Sequence, residues 1–128
     1  MNYVSIEEVF AIHITMIATG GGREDIHDFA LLHSAVERPK ATFGGQDLYP
    51  TVWLKAAAFL HSLVKNHPFD DGNKRTAYYS TKRFLSLNGY VMYAPKGKVI
   101  PFMRTVDVQN LTLSDISTWL KSHSTPRS

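Results

Sequence analysis

From Val52 to Val64, apolar residues crowd most sides of one helical pattern: Val52, Trp53, Ala56, Ala57, Phe59, Leu60, Leu63 and Val64. A helix with a single apolar stripe lies on a surface, whereas one that is apolar around most of its circumference has to be surrounded. The spacing therefore predicts a central, buried helix, opened by Pro50 at the first helical position, where a missing N–H is no loss. With 128 residues, 44% of them hydrophobic, the chain can build one core but not two ordinary ones. The expectation is an all-α fold in which residues 1–128 form a single domain around that helix.

The flanking segments supply the surrounding layers. Ser5 with Glu8 forms a capping box, and Ile6, Val9, Phe10, His13 and Ile17 follow at helical spacing, so a first helix should run to about Ala18 before Gly20-Gly21-Gly22 stops it. That glycine run lacks a preceding strand and a following Lys-Ser/Thr, so it reads as a helix stop rather than a phosphate cradle. A shorter helix is expected over Asp28–Glu37 with Leu31, Leu32, Ala35 and Val36 inward, ended by Pro39. Around Gly44-Gly45, Thr42-Phe43 and Leu48-Tyr49 suggest a small β-hairpin flap near residues 40–49. Ala77, Thr81, Phe84, Leu85 and Asn88 define a further core helix closed by Asn88-Gly89. Then come a short extended run at Tyr90–Tyr93, a turn at Pro95–Lys98, helices near Val99–Val108 and Ser114–His123 with Ser114 as N-cap, and a frayed tail.

Composition excludes some chemistry. Without cysteine there is no disulfide and no thiolate metal site, which fits a reducing cytoplasm. The N-terminal residues carry Glu7 and Glu8 where a secretory signal needs bases, and no stretch nears the roughly 20 apolar residues of a membrane span. A cytoplasmic protein with no membrane partner is expected. The net charge of +3 is spread along the chain rather than gathered in an arm, so nucleic acid is not an expected partner.

Between the two core helices lies His67-Pro68-Phe69-Asp70-Asp71-Gly72-Asn73-Lys74-Arg75. A helix opening at Gly72-Asn73-Lys74 would present unpaired N–H groups and a partial positive charge to an anion. Phosphoryl or nucleotidyl transfer needs an oriented nucleophile, a metal on the phosphate oxygens and positive groups on developing charge. His67 could take the proton of an attacking hydroxyl, and Asp71 could hold Mg²⁺. Gly72, Asn73, Lys74 and Arg75 could bind phosphate. Pro68 stiffens the loop, and Phe69 would pin it to the core. Any one of these residues is ordinary in a loop; nine consecutive positions at a helix start are not.

The nine residues resemble the signature loop of the Fic/Doc superfamily, whose pattern is His, any, Phe, any, acid, Gly or Ala, Asn, Gly or Lys, Arg. Pro39–Gly45 and Phe84–Tyr90 are similar to that family's flap and the end of its post-motif helix. The resemblance implies a compact helical bundle with a β-hairpin flap. It implies His67 as base, Asp71 as Mg²⁺ ligand, Gly72-Asn73-Lys74 as anion hole for ATP and Arg75 as a phosphate contact. Family members that transfer AMP usually have Gly in place of Lys74 and a second Arg in place of Tyr78; Doc-type toxins have Lys and lack that Arg. The branch implied is therefore a protein kinase that moves the ATP γ-phosphate to a Ser/Thr hydroxyl of elongation factor Tu and stops translation, with AMP transfer as the alternative. Gly72 departs from the Ala common in that branch. Self-restrained members carry a Ser/Thr-x-x-x-Glu helix; that spacing is absent here, so an inhibitor comes from outside or is absent, which fits the Doc arrangement of a Phd-like antitoxin acting in trans in a type II toxin–antitoxin system.

Two readings from other classes compete. His27-Asp28, with His13 before and Asp107 or Asp115 after, could be the metal set of an HD-type phosphohydrolase, although Asp28 also suits an N-cap. Lys74, Arg75, Lys82 and Arg83 could make a basic helical adaptor, but Trp53, Phe59 and Phe84 fall in core patterns rather than beside those cations.

Overall fold

The computed structural model describes residues 1–95 and 97–128. Helix α3 (Val52–Lys65) is the centre of the molecule: Ala56, Ala57, Ala58, Leu60 and Val64 have no exposed surface. It packs against α2 (Phe29–Glu37), α4 (Asn73–Leu87), α5 (Val99–Val108) and α6 (Leu113–Ser122), while α1 (Ile6–Gly20) lies against α4 and α2. The fold is all-α, as the patterning predicts; among the described residues it carries two small antiparallel two-stranded sheets, of which only the flap hairpin was expected. Among the described residues no helix is long and apolar enough to cross a membrane.

Side-chain caps start α1, α2, α3 and α6. Ser5 Oγ accepts from Glu8 N–H at 3.2 Å and Glu8 returns the bond to Ser5 N–H at 3.3 Å, the reciprocal box expected for α1. Only one stripe of α1, Val9, His13 and Ile17, is buried; Phe10, which shares the helical spacing, is 40% exposed. The helix runs to Gly20, and Gly21 at φ +79° caps it by donating to Ile17 C=O at 2.8 Å. Asp28, expected as the first residue of α2, instead caps it from outside, accepting from Leu31 N–H at 3.1 Å; the inward stripe is Leu32, Ala35 and Val36, and Leu31 is half-buried. A 3₁₀ turn over Arg38–Lys40 follows, with Pro39 buried.

The flap is a hairpin of β1 (Thr42–Phe43) and β2 (Gln46–Asp47), with Thr42 opposite Asp47. Its second strand was expected at Leu48-Tyr49. Gly44 and Gly45, at φ +59° and +79°, make a two-residue turn, and such a turn requires the partner strand to begin at the next residue. Buried Lys55 of α3 roots the hairpin, reaching Asp47 at 3.2 Å and Pro39 C=O at 3.3 Å. The α3 cap is Thr51, whose hydroxyl accepts from Leu54 N–H at 3.1 Å, so Pro50 sits one residue outside the cap rather than at the first helical position.

In α4 the expected Ala77, Thr81, Phe84 and Leu85 are buried, and Asn88 caps the end with Nδ2 donating to Phe84 C=O at 2.8 Å. The extended run forms β3 (Tyr90–Met92). The tail, expected to be frayed, forms β4 (Ser124–Pro126), which pairs with β3 through Val91 and Thr125; Arg127 N–H also reaches Gly89 C=O at 2.8 Å. A pairing more than 30 residues apart in sequence leaves no local signal in a tail of five residues. The turn expected over Pro95–Lys98 includes Lys96, which lies outside the described residues; its ends are joined by Lys98 N–H to Pro95 C=O at 3.0 Å. Helix α5 has the expected bounds and buries Met103 and Val106. Thr112, not Ser114, caps α6, through a box with Asp115, so that helix starts at Leu113.

Candidate active site

The loop between α3 and α4 is held from both sides. Phe69 is 2% exposed, pairs with Ile26 as an antiparallel bridge, and stacks on His13 with ring centroids 3.7 Å apart and planes 7° apart. Pro68 C=O accepts from His27 and Asp28 N–H, and Asp70 N–H donates to Asp25 C=O. Asn73 folds back on the loop: its Oδ1 accepts from Phe69 N–H at 3.0 Å and its Nδ2 donates to Phe69 C=O at 2.9 Å. The Asn73 side chain is therefore a clamp on the loop, and its backbone N–H is the group left for a ligand.

Helix α4 opens without a side-chain cap. Its first internal bond runs from Thr76 N–H to Gly72 C=O at 2.9 Å, so the N–H groups of Asn73, Lys74 and Arg75 lie ahead of the ladder. Gly72 has φ +78°, and a Cβ there would come within 3.1 Å of Ile17 Cδ1. Left-handed backbone and close packing on α1 both favour glycine at this point.

Asp71 is fixed by two hydrogen bonds and close packing under Gly22. His13, fully buried in α1, has its Nε2 2.7 Å from Asp71 C=O, which only the Nε2–H tautomer can serve. Arg23 N–H donates to Asp71 Oδ2 at 2.8 Å. A Cβ on Gly22 would meet Asp71 Cβ at 2.8 Å, so the glycine run that stops α1 also lets the next loop pass over this carboxylate. The second carboxylate oxygen has no hydrogen-bond partner among the described residues.

The cations are placed differently from one another. Arg75 donates from Nη1 to Met16 C=O at 2.7 Å and from Nη2 to Gly21 C=O at 3.2 Å, tying α4 to the end of α1. Lys74 Nζ lies 2.9 Å from Asp107 Oδ2 on α5, and His67 Nε2 lies 3.2 Å from Asp107 Oδ1. Lys65 Nζ donates to Asp107 C=O at 2.7 Å. The Lys74 ammonium bonded to Asp107 holds its carboxyl below the usual carboxylate range, with His67 adding to the effect. Asp107 was not among the residues expected at this site. The sequence offered it only for the rival metal set and as the one acid between Asp71 and Asp115.

His67 and residues Asp70 to Arg75 line one polar cavity of about 380 Å³, closed on one side by Ile100. Arg75 and Ile100 also line a more apolar groove of about 730 Å³, walled by Met16, Tyr78, Tyr79 and Tyr93. All six residues expected at the site, His67, Asp71, Gly72, Asn73, Lys74 and Arg75, thus border one space. The rival metal set is not assembled. Asp28 and Asp115 cap helices, His13 serves the Asp71 carbonyl, and His27 Nδ1 lies 3.4 Å from Asp70. Among the described residues no three His, Asp or Glu side chains form a metal-holding group. Of the four cations proposed for a nucleic-acid surface, Lys74 faces Asp107, Arg75 faces carbonyls and Arg83 pairs with Glu8 at 3.0 Å.

The profile of the Fic/DOC family matches residues 3–85. The chain is 50% identical over 74 residues to a protein named Toxin Doc from Mycolicibacterium smegmatis, a match spanning 58% of this chain and 57% of that protein. It is 29% identical over 93 residues to Protein kinase doc of Escherichia phage P1, covering 73% of each.

Proposed function

Because the chain belongs to the Fic/DOC family, we propose that it is a Doc-like toxin that transfers the γ-phosphate of ATP to a Ser/Thr hydroxyl of a translation factor, elongation factor Tu being the expected target. The observation that carries this reading is the convergence of His67, Asp71 and the uncapped start of α4 on one cavity that also holds Lys74. The similarity to a protein named Protein kinase doc supports phosphate as the group moved.

In this reading His67 accepts the proton of the target hydroxyl as its oxygen bonds to the γ-phosphorus and the bond to the ADP oxygen breaks. The N–H groups of Asn73, Lys74 and Arg75 hold phosphate oxygens through the helix terminus, and the Lys74 ammonium adds a point charge. Arg75 keeps donors beyond the two spent on α1, and its anchored guanidinium makes a rigid phosphate contact. Asp71 has an unengaged carboxylate oxygen beside that terminus, which suits Mg²⁺, an ion that binds one or two carboxylates together with phosphate oxygens and water. Bound there, Mg²⁺ would neutralise phosphate charge. We further propose cytoplasmic action and restraint by a Phd-like antitoxin in trans.

The test is incubation of the protein with bacterial lysate and ATP labelled at either the α- or the γ-phosphate. Label from the γ position on a single protein band is expected. Label only from the α position would make the chain an AMP-transferase, and would show that Lys74 does not select the phosphate moved.

A further inference from the structure

Asp107 enters the site from α5, 40 residues beyond His67, and each of its carboxylate oxygens meets a different group: Oδ1 lies 3.2 Å from His67 Nε2 and Oδ2 lies 2.9 Å from Lys74 Nζ. We propose that Asp107 is a positioning residue, a single carboxylate that fixes the tautomer and direction of the His67 imidazole and sets the spacing between that ring and the Lys74 ammonium. The proposal rests on the reading of His67 as the base.

His67 needs such a partner. Its side chain is 51% exposed and its backbone sits at φ +46°, the left-handed region that a residue with a Cβ seldom occupies. An imidazole on an exposed, strained loop position would otherwise sample several rotamers and both neutral tautomers. A carboxylate can only accept, so with Asp107 on Nε2 the neutral ring carries its proton there and leaves the Nδ1 lone pair to receive the proton of a hydroxyl. The arrangement of base and orienting acid is the recurring logic of activated nucleophiles.

Asp107 is rigid enough for that task. Met103 and Val106, 0% and 1% exposed, seat α5 in the core, and Lys65 pins the Asp107 carbonyl at 2.7 Å. A group on an anchored helix holds geometry better than one on a loop. Its side chain is 20% exposed, so the two contacts are partly shielded from water. A carboxylate beside Lys74 has an opposite possible consequence: it would compete with phosphate for the ammonium and slow the reaction. The two effects differ in sign, and that difference decides the test.

The experiment compares the full chain with Asp107→Asn and Asp107→Ala, using ¹⁵N-histidine spectra together with transfer of labelled γ-phosphate from ATP in bacterial lysate. In the wild type the His67 ring should show the Nε2–H signature, and in Asp107→Ala a mixture of tautomers. Apparent kcat should fall about 10–100-fold in Asp107→Ala, the usual cost of losing an orienting group, with KM for ATP within about threefold. Asp107→Asn keeps an acceptor on the same stem and should recover part of kcat; it also carries the test if the alanine variant fails to fold. An unchanged tautomer in Asp107→Ala would overturn the proposal. So would kcat at or above the wild-type value with tighter ATP binding, which would make Asp107 a competitor for the phosphate site. If the wild type moves label from neither the α- nor the γ-phosphate of ATP, the reading of His67 as base fails, and the spectra still decide whether Asp107 sets its imidazole.

Discussion

At the scale of single residues the site divides into groups that face the cavity and groups that hold them. His67 is half-exposed and contacts Asp107, so His67→Ala should leave the fold intact and lower transfer by about 10²–10⁴, the usual contribution of a general base; a folded variant with full activity would remove His67 from the reaction. Lys74→Gly should depress phosphate transfer sharply, since backbone alone cannot replace a charge on the phosphates. Tyr78 lines the adjoining groove where AMP-transferring members of the family carry their second Arg, so Lys74→Gly with Tyr78→Arg is the fairer test of conversion. Gain of α-phosphate label in the double variant is the outcome to look for, and phosphate transfer undiminished by Lys74→Gly would contradict the role given to the ammonium. Asp107 also predicts a pH effect. Its carboxyl is held below the ordinary range in the folded chain, so its contribution to stability is complete above the unfolded carboxyl's range and is lost as pH falls through the lower folded range. Asp107→Asn should flatten the acid side of the stability–pH curve, and an unaltered acid limb in denaturation melts would show that the ion pair contributes nothing.

At the scale of elements, α4 is opened by tertiary contacts rather than by a cap of its own. Ile17 packs where a Cβ of Gly72 would lie, Arg75 lies against Gly20, and the Asn73 amide clamps Phe69. The start of α4 and the end of α1 therefore form one structural unit, with the N–H groups of the former left open. The second sheet is a similar case. Ending the chain at His123 removes β4 and the Arg127 bond to Gly89, leaving β3 with an unpaired edge. A loss of about 1–2 kcal/mol is expected from partly exposed backbone bonds worth roughly 1 kcal/mol each at most, read as a lower thermal midpoint. An unchanged midpoint would mean that this pairing adds nothing to stability.

For the whole molecule, the toxin reading predicts that expression of the chain alone arrests bacterial growth and that a Phd-like partner relieves the arrest. Growth unaffected by abundant, folded protein in a host that carries the target would count against it. The central place of α3, the all-α class and the contents of the His67–Arg75 loop were legible in the sequence, because helical periodicity and a contiguous motif are local properties. So was the glycine stop of α1, which needs only a residue free to take a positive φ. Boundaries went astray where two residues competed to cap one helix, as with Thr112 and Ser114, or where a turn type set the register of the flap. Four features came only with the tertiary structure: His13 under Asp71, Arg75 on α1, β4 beside β3, and Asp107 between His67 and Lys74. Each joins residues that are distant along the chain, and such a contact is set by how the helices pack around α3 rather than by any spacing within a segment.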